Sequence, residues 1–201
     1  MRKLTLSINV SLDGFADHTV AVAADDELHD FFSGLLADTD IALLGRVTYQ
    51  LMESYWPNAH QDPRASKSML AFADKYSAVP KIVFSRTLQT AVWNNTSVFM
   101  GNMVREVIRL KREPGKSISL GGISVSQEFM RRGLINEYWL VVHPVVVGKG
   151  KRLFDGQNDR MNLTLVDTKV FKSGAVVLHY LCEGKESLDQ DRDQPNASGR
   201  N

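Results

Sequence analysis

The segment SISLGGISVSQEFMRRGL, residues 117–134, sets two adjacent glycines between an alternating stretch and a run with helical spacing. A strand that turns into a helix at Gly121 and Gly122 leaves several helix N–H groups unpaired at the positive end of the helix dipole, with Ile123 the first of them. Bare residues at that point let an anion approach those N–H groups. The plain structural reading is a tight turn that requires positive φ. Two other junctions repeat the chemistry. LLGRVTY places Gly45 and Arg46 where a strand ends and a helix begins, with Thr48 one turn in, so N–H groups, a guanidinium and a hydroxyl converge. VFSRTL places Ser85, Arg86 and Thr87 directly after another strand, a cluster suited to a terminal phosphate. Taken singly, such residues are also what solvated polar loops contain. If the strands are parallel, all three clusters share the carboxyl edge where ligands of open α/β sheets collect. The chain has neither GxxxxGK[ST] nor GxGxxG, and Arg46, Ser85 and Arg86 offer charge for a 2′-phosphate. The expected ligand is therefore NADPH rather than ATP.

The elements that must position these loops are legible in the hydrophobic pattern. Leu4, Leu6, Ile8 and Val10 alternate with polar residues, a strand with one buried face, closed by the turn Asp13-Gly14. From Asp26 to Ala37, Leu28, Phe31, Phe32, Leu35 and Leu36 mark a helical stripe, and IALLG then reads as a buried strand leading into the helix RVTYQLMESYW. After a polar loop with Pro57 and Pro63, the pattern predicts a helix around Met69–Tyr76, strands at 81–85 and 97–100, a helix with Val104, Val107 and Ile108 on its face, and the strand SISL. The helix after the glycine pair carries Val125, Phe129 and Met130 and ends at Gly133. Beyond it the rhythm changes: EYWLVVHPVVV, NLTLVDTKVF and AVVLHYL read as strands with no helix between them, which predicts antiparallel pairing. The expected fold is α/β, a mixed sheet of about eight strands flanked by helices, in one domain over residues 1–182. The polar stretch 183–201 is expected to be a disordered tail.

Among 201 residues, 24 basic side chains face 23 acidic ones, so no broad positive field points to nucleic acid. Cys182 is the only cysteine, which excludes an intrachain disulfide and fits a reducing compartment. No run approaches transmembrane length and the start lacks a continuous apolar core, so a cytoplasmic protein without membrane attachment is expected.

The segments SLDGFA, LLGRVTY, FSRTL and LGGISVSQEFMRRGLINEYWLVVHPVVVGKGKRLF, in this order, resemble the dihydrofolate-reductase-like superfamily. The resemblance is closest to the reductase domain of the bacterial bifunctional riboflavin-biosynthesis deaminase/reductase and spans about residues 3–181. It implies the dihydrofolate-reductase fold, NADPH as hydride donor, a small heterocyclic substrate, a homodimer and no metal. It also implies that Gly121 and Gly122 lie against the cofactor pyrophosphate, with Gly45, Arg46, Thr48, Ser85 and Arg86 on its other phosphate and ribose groups. Where the riboflavin reductases carry a lysine after SLDG and an acidic residue before GG, this chain has Phe15 and Leu120, which removes two contacts to a phosphoribosyl substrate. Dihydrofolate reductases use a carboxylate early in the first helix, and DDELHD, residues 25–30, makes Asp26 and Asp30 the corresponding candidates, with His29 beside them. Asp13 falls in the loop expected beside the nicotinamide, which Asn9 and Val10 would line through backbone atoms. Tyr49 and Trp56 are candidate walls of the acceptor pocket, and His143 is expected to be a satisfied core or interface histidine. A true dihydrofolate reductase, or a nonenzymatic nucleotide-binding protein on the same fold, are the alternatives.

Overall fold

The computed structural model describes residues 1–16, 24–157 and 159–182. The expected tail, 183–201, lies outside the described residues. The strands are β1 (Leu4–Ser11), β2 (Thr39–Gly45), β3 (Lys81–Phe84), β4 (Thr96–Phe99), β5 (Ser117–Gly121), β6 (Glu137–His143), β7 (Leu163–Val170) and β8 (Val176–Cys182). They form one sheet in the order β4-β3-β2-β5-β1-β6-β8-β7. Pairing is parallel from β4 through β6 and antiparallel at β8 and β7, as the loss of intervening helices predicts.

Helices α1 (Asp26–Leu36), α2 (Arg46–Glu53), α3 (Lys67–Ala78), α4 (Met103–Arg112) and α5 (Ile123–Arg131) cover the sheet. On one face, Val107 and Leu110 of α4 and Val125, Phe129 and Met130 of α5 pack on Leu4, Leu6, Leu43, Ile118 and Leu120. On the other face, α2 and α3 bury Tyr49, Phe72 and Tyr76 against Ala42, Leu44 and Val83, while Leu28 of α1 packs on Val141 and Val177. Phe32 touches both of these latter clusters, so α1 spans the middle of the sheet.

Two sequence expectations needed revision. The strand read as running to residue 147 stops at His143, because Pro144 has no N–H for the ladder and Val145 N–H turns back to the His143 carbonyl. The helix read through Trp56 ends at Glu53, and Pro57 then sits in the first turn of a 3-10 segment, Trp56–Gln61.

Candidate active site

The sheet has its topological switch between two neighbours. The chain leaves β1 towards the face covered by α1 and leaves β5 towards the face covered by α5, which opens a crevice between β1 and β5 at their carboxyl ends. Register deepens it: β1 pairs with β5 only from Leu4 to Leu6, yet stays paired with β6 as far as Ser11. The parity that sends the Lys3 carbonyl to Ile118 turns the main chain of Asn9 to the same side, past the last β5 partner. On the α1 face, Thr5, Ser7 and Asn9 of β1 and Ser119 and Gly121 of β5 make a polar strip between the apolar rows of β2 and β6. Ser7, Asn9, Ser119 and Gly121 are partly exposed although these strands are the two central ones.

Along this edge the predicted loops stand side by side, because β3, β2, β5 and β1 are consecutive neighbours. At about 4.8 Å per strand, they span roughly 14 Å. Helices α1, α3 and α4 have side-chain caps from Asp25, Ser66 and Asn102, whereas α2 and α5, which begin at Gly45 and Gly122, have none. Their first N–H groups therefore stay free to bind an anion. The two helix starts touch. A Cβ built on Gly122 would lie 2.9 Å from Thr48 Oγ1 and 3.3 Å from Gly45 N, and one on Gly121 would lie 2.9 Å from Leu44 Cδ2. Gly122 also has φ of +111°. The glycine pair is thus bare because two strand-to-helix junctions press together, and that contact places both sets of N–H groups side by side. Arg46 is exposed and bonds Gln50 (2.9 Å), and Arg86 is exposed with no ion-pair partner among the described residues. The Ser85 hydroxyl oxygen accepts from Thr87 N and Leu88 N at 3.1 and 2.9 Å, which fixes the turn and leaves its O–H to donate.

Nearer the crevice, His143 Nε2–H donates to Asn9 Oδ1 at 2.9 Å. Burial lowers the His143 imidazole below its ordinary pKa, against the opposing pull of the Asp25 carboxylate at the start of α1. Asp13 accepts from Ser11 Oγ (2.7 Å), Gly148 N (2.8 Å) and Val147 N (3.2 Å), clasping the loop after β1 to the loop after β6. These bonds, the Ser11 one foremost, lower its pKa to about 2. A carboxylate so held is an anion at neutral pH, and Asp13 fastens the two loops together. Since folding depresses this pKa, the stabilisation is fully present above the unfolded value near 3.8 and is lost as pH falls towards 2. Asp13→Asn is expected to lower the urea midpoint at pH 6, with the difference from the native chain closing between pH 4 and pH 2. A gap that stays constant over that range would contradict the clasp.

Other expectations are redirected. Asp26 bonds Ser66 Oγ at the surface and Asp30 is exposed. His29 is buried against Trp56 and Phe72, its Nδ1 2.7 Å from the Asp25 carbonyl. The Val10 side chain is 5% exposed and packs on the α4–α5 face, turned from the polar strip. Tyr49 is no pocket wall either: it is 2% exposed, and its hydroxyl accepts from Val92 N and Trp93 N. Trp56 is half-buried beside His29. Phe15 is buried with the Arg152 guanidinium 4.9 Å above its ring, and Leu120 is core, so neither offers a polar group to a substrate. Sequence reading missed the bond between the Asn9 side chain and His143. A separate groove lined by Phe31, Trp139, Asp167, Thr168, Lys169 and Val177 lies towards β7, away from the free helix starts.

Comparison with known proteins bears on the family and the fold. The chain is 35% identical over 188 residues to the uncharacterized protein YyaP of Bacillus subtilis (strain 168), covering 91% of this chain and 96% of that one. A pyrimidine reductase-like protein from Corynebacterium diphtheriae shares the fold at TM-score 0.60 and 15% identity, over 90% of this chain and 92% of that one. RibD of Acinetobacter baumannii aligns at TM-score 0.61 and 12% identity, over 90% of this chain and 58% of that one. The family model for the RibD C-terminal domain matches residues 2–177, and the chain belongs to that family, with its dihydrofolate-reductase-like fold.

Proposed function

We propose that the protein is an NADPH-dependent reductase that delivers a hydride to a small heterocyclic acceptor, pteridine- or pyrimidine-like. The observation that carries this reading is the contact of two uncapped helix starts, at Gly45 and Gly122, on the edge that also bears Arg46 and Arg86. The N–H groups of Arg46–Thr48 and Ile123–Val125 would hold the pyrophosphate, and Arg46, Ser85, Arg86 and Thr87 the 2′-phosphate end. Bound reduced nicotinamide supplies the hydride; the chain supplies orientation and a crevice that limits water. Phe15 and Leu120 favour an acceptor without the phosphoribosyl arm of a riboflavin precursor. A homodimer and a cytoplasmic location are part of the same proposal, the former supported by exposed Leu165, Val166 and Val170 on the edge strand β7.

Titration of the protein with NADPH and NADH, followed by fluorescence of the reduced nicotinamide, tests it. The native chain is expected to prefer NADPH. Arg46→Ala and Arg86→Ala are each expected to weaken NADPH about tenfold, corresponding to ~1.4 kcal/mol, and NADH much less. Failure of folded protein to bind either nucleotide sinks the reading. Tight binding with no acceptor reduced across a pteridine, pyrimidine and quinone panel would favour a nucleotide-binding protein without reductase activity.

A further inference from the structure

In the crevice between β1 and β5, Asn9 is partly exposed and lies past the last β5 partner of β1. Its amide is not free to turn. His143 is 4% exposed and in register with Ser11, so it lies diagonally across from Asn9 on the same face. The Oδ1 atom accepts from His143 Nε2–H at 2.9 Å, and an oxygen can only accept, so the ring hydrogen is on Nε2. Protonating the ring would leave that hydrogen in place, so the hold on the amide does not depend on the charge of His143. With Oδ1 engaged, the opposite end of the amide, the Nδ2 hydrogens, has no partner among the described residues. Asn9 is partly exposed and its neighbours along the strip, Ser7 and Ser119, are small. A fixed pair of N–H donors thus faces a site otherwise lined by small hydroxyls.

We infer that Asn9 recognises a lone pair on the acceptor, a carbonyl oxygen or an unprotonated ring nitrogen, and that His143 is the positioning residue that holds the amide in this orientation. This rests on the reductase reading above. A carboxylate at this place would select the reverse, a ligand edge bearing N–H donors. The site is therefore specific for acceptors that present a carbonyl or imine lone pair, and it discriminates against amino-substituted edges.

The experiment uses lumazine, a 2,4-dioxopteridine, and pterin, its 2-amino counterpart, as fluorescent probes added to the full chain saturated with NADP+. Asn9→Asp keeps an acceptor for His143 Nε2–H, so a purely structural asparagine tolerates the change, whereas a recognising one loses its donors. Expected results are lumazine binding at least tenfold weaker in Asn9→Asp, with the lumazine-to-pterin affinity ratio falling, both measured at the NADP+ concentration that saturates that variant. His143→Phe, which frees the amide to rotate, is expected to weaken lumazine severalfold while Asn9 is still present. Native-like lumazine binding by Asn9→Asp, or no lumazine binding by native protein that still binds NADPH, overturns the inference and leaves the cofactor reading standing. Loss of NADPH binding by the native chain strikes the earlier reading instead.

Discussion

Gly122→Ala is expected to cost on the order of 1–3 kcal/mol of stability and to weaken NADPH at least tenfold. Two separate physical causes combine. At φ of +111° a side chain is strained whatever surrounds it. The added methyl would also sit 2.9 Å from Thr48 Oγ1 and 3.3 Å from Gly45 N, and backbone cannot yield as a flexible side chain can. Relief requires α2 and α5 to separate at their starts, which pulls apart the two sets of N–H groups proposed to share the pyrophosphate. Gly45→Ala is the control. Its Cβ would meet only the Val125 methyls, at 3.5 and 3.6 Å, and Gly45 has φ of −77°, so little loss of stability is expected. Urea denaturation and NADPH titration of both variants check this. A Gly122→Ala protein that binds NADPH as tightly as the native chain would show that the contact between the helix starts is irrelevant to the site.

Lys81→Met is expected to be the most destabilising single change away from the site, on the order of 3 kcal/mol. Lys81 is 1% exposed, and its ammonium donates to the carbonyls of Val79 (2.7 Å), Tyr76 (2.9 Å) and Ser77 (3.3 Å). Tyr76 and Ser77 are in the last turn of α3, where carbonyls lack helical partners and a positive charge opposes the dipole. The Trp93 ring lies 4.6 Å from the ammonium. Burial lowers the pKa of Lys81 to about 8, while carbonyls and aromatic faces favour the charged form. Methionine preserves the stem and strands the buried carbonyls of Tyr76 and Val79, while the Ser77 carbonyl keeps the Asn95 Nδ2 donor at 3.1 Å. The measurement is the urea midpoint at unchanged slope, and a loss below about 0.5 kcal/mol would show that water replaces the ammonium.

The sequence pattern reached the fold well because the elements are amphipathic with clear periods, and because the last three strands follow one another without a helix. It also located the glycine and arginine loops, since a strand-to-helix junction exposes N–H groups wherever it occurs. The positive φ of the plain turn reading is present at Gly122, and the close neighbours of the glycine pair are Thr48, Gly45 and Leu44, brought in by β5 lying beside β2, a pairing that hydrophobic periodicity does not encode. The Asn9–His143 bond joins residues 134 positions apart and depends on β1 lying between β5 and β6. An acidic run at a helix start looked like the source of a catalytic carboxylate, yet Asp25 caps α1, Asp26 bonds Ser66 and Asp30 is exposed. Asp13 resembled a turn residue or an acid, and only the approach of the 147–148 backbone revealed a clasp.

The central claim is that the carboxyl edge from β3 to β1 holds the nucleotide. Amide hydrogen exchange of the native protein with and without saturating NADPH tests it most directly. The account predicts slowed exchange in 44–49, 85–88 and 119–125, with a further effect at 9–13, and little change in β7 and β8. Protection absent from those segments, or centred instead on the groove at Phe31, Trp139 and Lys169, would contradict it.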